Sequence, residues 1–380
     1  MPPLVAPSLV LMCSTHVDDL KITGTPSDIE FLLGGLAKMF GNLTIHRGIF
    51  TYCGIEHEQQ KDFSVVTHQS PYAANLMPIS TTDIDLSKSD VALTAAQHTS
   101  YLSLLGALAW LGQTRLDTCI FCQALQRAAS RPTVGHLVRL NSVVRWAKRK
   151  EVTLVYKRID TTRGPVRLCI VADAAFRRED LTGLAMRGHL VFLASAAADS
   201  HCLLQGADAA PETVQIQILS WCAKRQKRVV RSTFAAELNS AADALEDGKL
   251  LALAITEIAE PSLSALHLQS RLVSGTLAVK LHLFTDCRSI FDALKLEDLR
   301  VPSEASLFAL LLIIKQLMTC GLLSRLYWVD TRDMLADGLN KGAISRVALM
   351  HSSKAACWSL QHTAKWCRHE ATLPQIMPAD

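Results

Sequence analysis

The 380-residue chain has no apolar run that reaches membrane-spanning length without polar interruption. Its start, MPPLVAPSLVLM, lacks the basic region and long apolar core of a secretory leader. Nor is there a large excess of charge of one sign. Lys and Arg total 39 against 35 Asp and Glu, a net charge of +4, and charged residues make up only 19% of the chain. That balance excludes a disordered polyelectrolyte, and it permits an acidic partner without demanding one. The 11 cysteines follow no disulfide-framework spacing and occur within apolar segments, as at Cys53, Cys169 and Cys287. This fits buried thiols in a reducing compartment. Cys119 and Cys122 form an isolated CxxC inside a helical pattern, which reads as packing rather than zinc or redox chemistry. Cys357, His362, Cys367 and His369 have ligand-like chemistry but no recognised metal spacing. A soluble, intracellular protein with no membrane partner is expected.

What is present is a large apolar inventory. At 49% apolar composition the chain can bury a full core, and its length predicts two or three domains. Positive charge is concentrated in two places. Residues 224–231, KRQKRVVR, carry five cations in eight positions, and residues 145–150, RWAKRK, carry four in six. Taken alone, each run fits a solvated face or a phosphate contact.

The hydrophobic spacing divides the chain into different grammars. SLVLMCSTHV and LKITG read as two strands with Asp18 and Asp19 at a hairpin tip. SDIEFLLGGLAKMF reads as a helix capped by Ser27, FTYCGIEHEQ as a strand, and QSPYAANLM as a short helix. Residues 78–93 are polar and irregular and read as a linker. Three helical stripes follow between 98 and 150, and EVTLVYKRIDTTRG is hairpin-like. Beyond it, VRLCIVAD, LAMRGHLVFLA and VQIQILSWCAK read as successive strands. Ser232 or Thr233 then caps a helix running towards Leu250. LAVKLHLFTD returns as a strand, SIFDALK and EASLFALLLIIKQLM as helices, LSRLYWV as the last strand, and DMLADGLNKG enters the last helix. That succession predicts a mixed sheet with helices packed against it.

Four carboxylates are placed suggestively on this pattern. Asp173 and Asp286 end strand-like runs, while Glu237 and Asp337 lie on helix-like segments. Any one of them has the bland reading of a solvent-facing acid. Gathered at one sheet edge, they would repel one another unless divalent cations neutralised them. Two magnesium ions roughly 4 Å apart would suit phosphodiester hydrolysis.

An ordered series of motifs adds to this reading. HVDDLKITG, FTYCGIE and SPYAANLM come first, followed by YLSLLGALAWLGQTRLDTCIFCQALQRAASRPTVGHLVRLNSVVRWAKR. ADAAF, LSWCAKRQKRVVRSTFAAEL, FTDCRSIFDAL and DMLADGLNKG complete it. From about residue 11 to 345 the chain resembles the end of the Pol polyprotein of copia-type retroelements. The matching region covers the C-terminal part of the reverse transcriptase and its ribonuclease H domain.

The resemblance implies an α/β protein with a ribonuclease H-like mixed five-stranded sheet flanked by helices. Ahead of it would lie a truncated polymerase palm and thumb remnant at 1–93 and a helical connection at 94–155. The ribonuclease H-like domain would span 156–345, with a C-terminal appendage at 346–380. Asp173, Glu237, Asp286 and Asp337 would bind magnesium, or manganese, and catalyse hydrolysis of RNA in an RNA–DNA hybrid. The nucleophile would be water, and the products a 3′-hydroxyl and a 5′-phosphate. Ala175 stands where the family often has a further acid. No histidine occurs in VDTRDMLA, which leaves Arg332 or solvent for water handling and product release.

Lys224, Arg225, Lys227 and Arg228 would contact the duplex backbone, and hybrid would be distinguished by groove shape and 2′-hydroxyls. Trp221 reads as core. Asp18 and Asp19 match the polymerase metal pair, with His16 in place of the usual tyrosine. Only 17 residues precede them, so no independent DNA polymerase activity is expected. The remainder of a Pol polyprotein is a possible partner, and a cytoplasmic retroelement particle or the nucleus the implied location. A catalytically silent nucleic-acid binding module and a degenerate element product remain the alternatives.

Overall fold

A computed structural model describes residues 9–162, 164–176, 184–195 and 213–362. β1 (Leu11–His16) and β2 (Asp19–Gly24) form a two-stranded antiparallel ribbon turning at Val17 and Asp18. The helix α1 (Pro26–Phe40) follows. Its cap is Thr25, whose hydroxyl accepts from the Asp28 N–H, and not Ser27. Pro26 explains the difference. With no N–H and a preset φ it takes the first helical position, which puts the cap at Thr25, two residues before Ser27. No residue of α1 is buried.

FTYCGIEHEQ folds as two strands, not one: β3 (Ile49–Tyr52) and β4 (Ile55–Gln59). The intervening Cys53 and Gly54 both have positive φ, 51° and 71°, as a two-residue hairpin turn requires. β5 (Val65–His68) pairs with β4, and α2 (Ser70–Asn75) follows. The helical layer comprises α3 (Ala95–Leu111), α4 (Cys119–Arg127) and α5 (Val134–Arg149). Tyr101, Leu108, Leu111, Leu137, Leu140 and Val144 are buried where these helices meet. Arg115 and Asp117 form a buried bidentate pair. Arg115 also donates to the Ala147 carbonyl and Trp146 donates to Asp117, so neither charge is left unsatisfied. The hairpin-like stretch after residue 150 contributes one strand, β6 (Leu154–Tyr156). It pairs with β5 and completes a four-stranded sheet ordered β3-β4-β5-β6.

The second sheet is built from β7 (Arg167–Ala175), β8 (Met186–Ala194) and β9 (Thr213–Arg225). After them come α6 (Thr233–Ala259), α7 (Ala265–Ser274) and β10 (Lys280–Thr285). The rest of the chain forms α8 (Arg288–Lys295), α9 (Ser306–Thr319), β11 (Leu323–Trp328), α10 (Asp337–Asn340), α11 (Val347–Ala355) and β12 (Cys357–Ser359). Strand order is β11-β10-β7-β8-β9-β12. β7, β8 and β9 are antiparallel neighbours, and β10 runs parallel to both β7 and β11.

Three features depart from the expected pattern. The sheet has six strands, because residues 357–359, expected in an appendage, add β12 antiparallel to β9. α6 continues beyond Leu250 to Ala259, and α7 is an additional helix. The alternation along β7 explains why this sheet is covered on both sides. Leu168, Ile170, Ala172 and Ala174 face α6, α8 and α9, whereas Cys169 and Val171 face a second core with Leu116, Leu339, Leu349 and Trp358. Gly248 sits where α6 crosses β7, and a Cβ there would run into Ile170. The helical layer abuts the second face, where Trp221 donates to the Gly112 carbonyl at 3.1 Å and Arg346 stacks over Phe121. Among the described residues, no helix is long and apolar enough to cross a membrane.

Candidate metal centre

The parallel pair β7–β10 and the helix α6 bring three of the four sequence-singled carboxylates together. Asp173 lies near the end of β7, on the face opposite the α6 core, and is 1% exposed. Glu237 reaches the same edge from the second turn of α6. Its Oε2 accepts the Ala174 N–H at 3.0 Å, and Ser240 donates to the Asp173 carbonyl at 2.8 Å. These two bonds tie the helix to the strand. Asp286 follows β10 directly, and its Oδ2 accepts from Thr331 Oγ1 at 2.9 Å while its carbonyl accepts from Trp328. One carboxylate oxygen from each of Asp173, Glu237 and Asp286 lies within 4.8 Å of the others.

Asp337 is not one of the three but joins Asp173 in two ways, by a direct side-chain hydrogen bond and through a shared cation. It opens the short helix α10, which packs on β8, and Lys341 Nζ lies 2.5 Å from its Oδ1 and 3.2 Å from Asp173 Oδ2. Asn340 Nδ2 donates to the same Asp173 oxygen at 2.6 Å. Neither Lys341 nor Asn340 was singled out by sequence, although Lys341 stands four residues after Asp337, the spacing of a helical ion pair. Thr331 carried no signal, since its contact with Asp286 spans two loops.

The electrostatics follow from crowding negative charge in a buried place. Burial pushes Glu237 far above the ordinary carboxylate range, and the charges of Asp173 and Asp286 add to the effect. Burial and then Asp173 raise Asp286 to about 6, and the same two causes raise Asp337 to about 8. Asp173 goes the other way. Burial is its largest influence and opposes its charge, but the Lys341 ammonium and hydrogen bonds from Asp337, Asn340 and Lys341 together hold the carboxyl low. Burial also opposes the charge of Lys341, yet Asp173 and Asp337 outweigh it and raise the ammonium pKa.

The donor set fits a hard divalent cation. Three carboxylate oxygens lie within reach of one another, two of them on groups disfavoured as bare anions, an arrangement that a divalent cation with oxygen ligands can neutralise. The Asn340 Oδ1 beside Asp173 is a further buried acceptor with no hydrogen-bond partner.

The other sequence-predicted residues lie elsewhere. Lys224 and Arg225 end β9, Lys227 and Arg228 continue into the loop before α6, and all four are exposed. Between them Gln226 is buried, donating its side chain to the Ala236 carbonyl at 2.7 Å and its N–H to the Ala185 carbonyl. The basic segment is therefore anchored at the start of the helix that carries Glu237. Ser232 caps that helix by accepting the Ala235 N–H. Trp221 is half-buried and packs with the second core, as its reading as core expects.

Asp18 and Asp19 sit exposed on the two-stranded ribbon, and the triad does not include them. Arg332 turns back to Asp330 at 2.8 Å. Burial pushes the Cys119 thiol up to about 12 and Cys122 to about 11, which suits packing and not nucleophilic chemistry. His362 bonds Asp333 at 2.7 Å, whereas Cys367 and His369 lie outside the described residues. No protein-family model, curated protein or solved structure matches the chain.

Proposed function

We propose that the chain is a divalent-cation-dependent nuclease of the ribonuclease H kind, hydrolysing the RNA strand of RNA–DNA hybrids. The observation that carries this reading is the convergence of Asp173, Glu237 and Asp286 at one sheet edge, with Asp337 linked to Asp173 directly and through Lys341. The strand order β11-β10-β7-β8-β9 is in keeping with the ribonuclease H-like sheet that the sequence resemblance implies. So is the position of the carboxylates at one end of β7 and β10.

Asp173, Glu237 and Asp286 would hold a magnesium or manganese ion, and Asp337 would face a second position shared with Asp173. Bound cations supply charge neutralisation at the scissile phosphate and lower the pKa of water. The chain's own residues prepare the place. Thr331 orients Asp286 by donating to one of its oxygens, and the Ala174 N–H does the same for Glu237. The exposed cations at 224, 225, 227 and 228 would hold phosphates of the duplex, positioning it without reading its sequence. A labelled RNA–DNA hybrid, incubated with and without magnesium, tests the reading. Wild type should cleave only with the metal, and Asp286→Asn should lose at least about a hundredfold in rate with its circular dichroism unchanged. Equal cleavage by both proteins would refute the assignment.

One observation favours a second reading, a hybrid-binding module without hydrolysis. Asn340 and Lys341 both occupy Asp173 Oδ2, an oxygen a metal would otherwise use. Tight hybrid binding with no magnesium-dependent cleavage would select it.

A further inference from the structure

We infer that Lys341 is a built-in cation that fills one of two cation positions, so that before substrate binds the site takes a single divalent ion, at Asp173, Glu237 and Asp286. This rests on the nuclease reading above and adds a positioning residue to it. The three-carboxylate group is complete without Asp337, since its oxygens lie within 4.8 Å of one another. The other half of the site is already bridged. Lys341 Nζ lies 3.2 Å from Asp173 Oδ2 and 2.5 Å from Asp337 Oδ1, between the two carboxylates that would hold a second ion and that also hydrogen-bond each other directly. An ammonium there neutralises part of the negative charge that would otherwise recruit a second dication.

The placement is held from several sides. Asn340, 3% exposed, donates to Asp173 Oδ2 beside the ammonium and keeps a buried Oδ1 without a partner. The Lys341 N–H donates to the Asp337 carbonyl, which keeps the side chain at the end of α10. Arg346 donates to the Lys341 carbonyl at 2.9 Å and fixes the backbone that follows. Lys341 is thus a positioning residue: it aligns Asp337 with Asp173 and restricts where metal enters.

Manganese titration of the full chain, read by the electron paramagnetic resonance of free Mn2+, counts ions without any turnover. Wild type and Lys341→Arg should each bind one ion per chain. Lys341→Met and Lys341→Gln should each bind two, and adding Asp337→Asn to either should return the count to one. Two ions or none in wild type overturns the inference, as does one ion in a folded Lys341→Met or Lys341→Gln protein. The wild-type count decides by itself if neither variant folds. Hybrid cleavage separates the two levels of argument. A shift from one ion to two without cleavage keeps Lys341 in this role and refutes the nuclease. Magnesium-dependent cleavage by a wild type that binds two ions does the reverse.

Discussion

Gly188 pairs with Asp173 across the β7–β8 ladder, and a Cβ at Gly188 would meet the Ala336 carbonyl at 2.8 Å and Asn340 Cβ at 3.1 Å. The missing side chain is what lets α10, with Asp337, Asn340 and Lys341, settle beside Asp173. Gly188→Ala should therefore move the site more than it moves the fold. A stability loss of about 1–3 kcal/mol is expected from overpacking, together with tighter manganese binding at the triad as Asn340 and Lys341 withdraw from Asp173 Oδ2. Urea unfolding and metal titration measure the two effects, and manganese affinity weaker than that of wild type would contradict this account of the glycine.

The metal should stabilise the protein in a pH-dependent way. The folded state raises Asp286 from 3.8 to about 6, so it favours the protonated form. That contribution is complete below pH 3.8 and is lost as pH rises through 6, a change on the order of 2–3 kcal/mol. A divalent ion offsets the loss only where the carboxylates are ionised. Manganese should raise the melting temperature clearly at pH 8 and little at pH 4.5, relative to chelator at the same pH. Buried His282, pushed down to about 3, acts oppositely: its contribution is present above 6.5 and fades on acidification. The comparison must therefore be made with and without metal at each pH, not between pH values.

Neutralising the basic segment should weaken nucleic-acid binding without touching the carboxylates. Replacing Lys224, Arg225, Lys227 and Arg228 together by Ala should lower hybrid affinity. It should also flatten the dependence of log affinity on log salt by about 0.7–0.9 for each phosphate that the protein no longer neutralises. Fluorescence anisotropy across a salt series reads this directly. An unchanged slope would show that these side chains are simply solvated.

The C-terminal strand should matter for stability. Trp358, 6% exposed, meets Phe192 and Phe284 edge-on at centroid distances of 5.2 and 5.0 Å. Trp358→Ala should cost about 3–5 kcal/mol by leaving a cavity in the second core. A denaturation midpoint close to wild type would mean that β12 is dispensable.

Much of this protein was legible in its order of residues because the relevant signals are local. Alternation in VRLCIVAD and LAMRGHLVFLA marks strands wherever they end up, and Ser232 caps α6 through a neighbour three residues away. The chemical type of Asp173, Glu237, Asp286 and Asp337 was equally plain. Their possible role as one group could be framed from motif order alone.

Contacts between distant segments were a different matter, because nothing in a short window encodes them. β6 joins β5 across more than 80 residues of intervening chain, and β12 reaches back to β9. The close trio of carboxylates, the contact of Asp337 with Asp173 alone and the ammonium shared by those two all depend on how α6, β10 and α10 pack against β7 and β8. Residue identities supplied the charges. Packing decided which of them share a buried space, and burial is what raises Glu237, Asp286 and Asp337 above the ordinary carboxylate range.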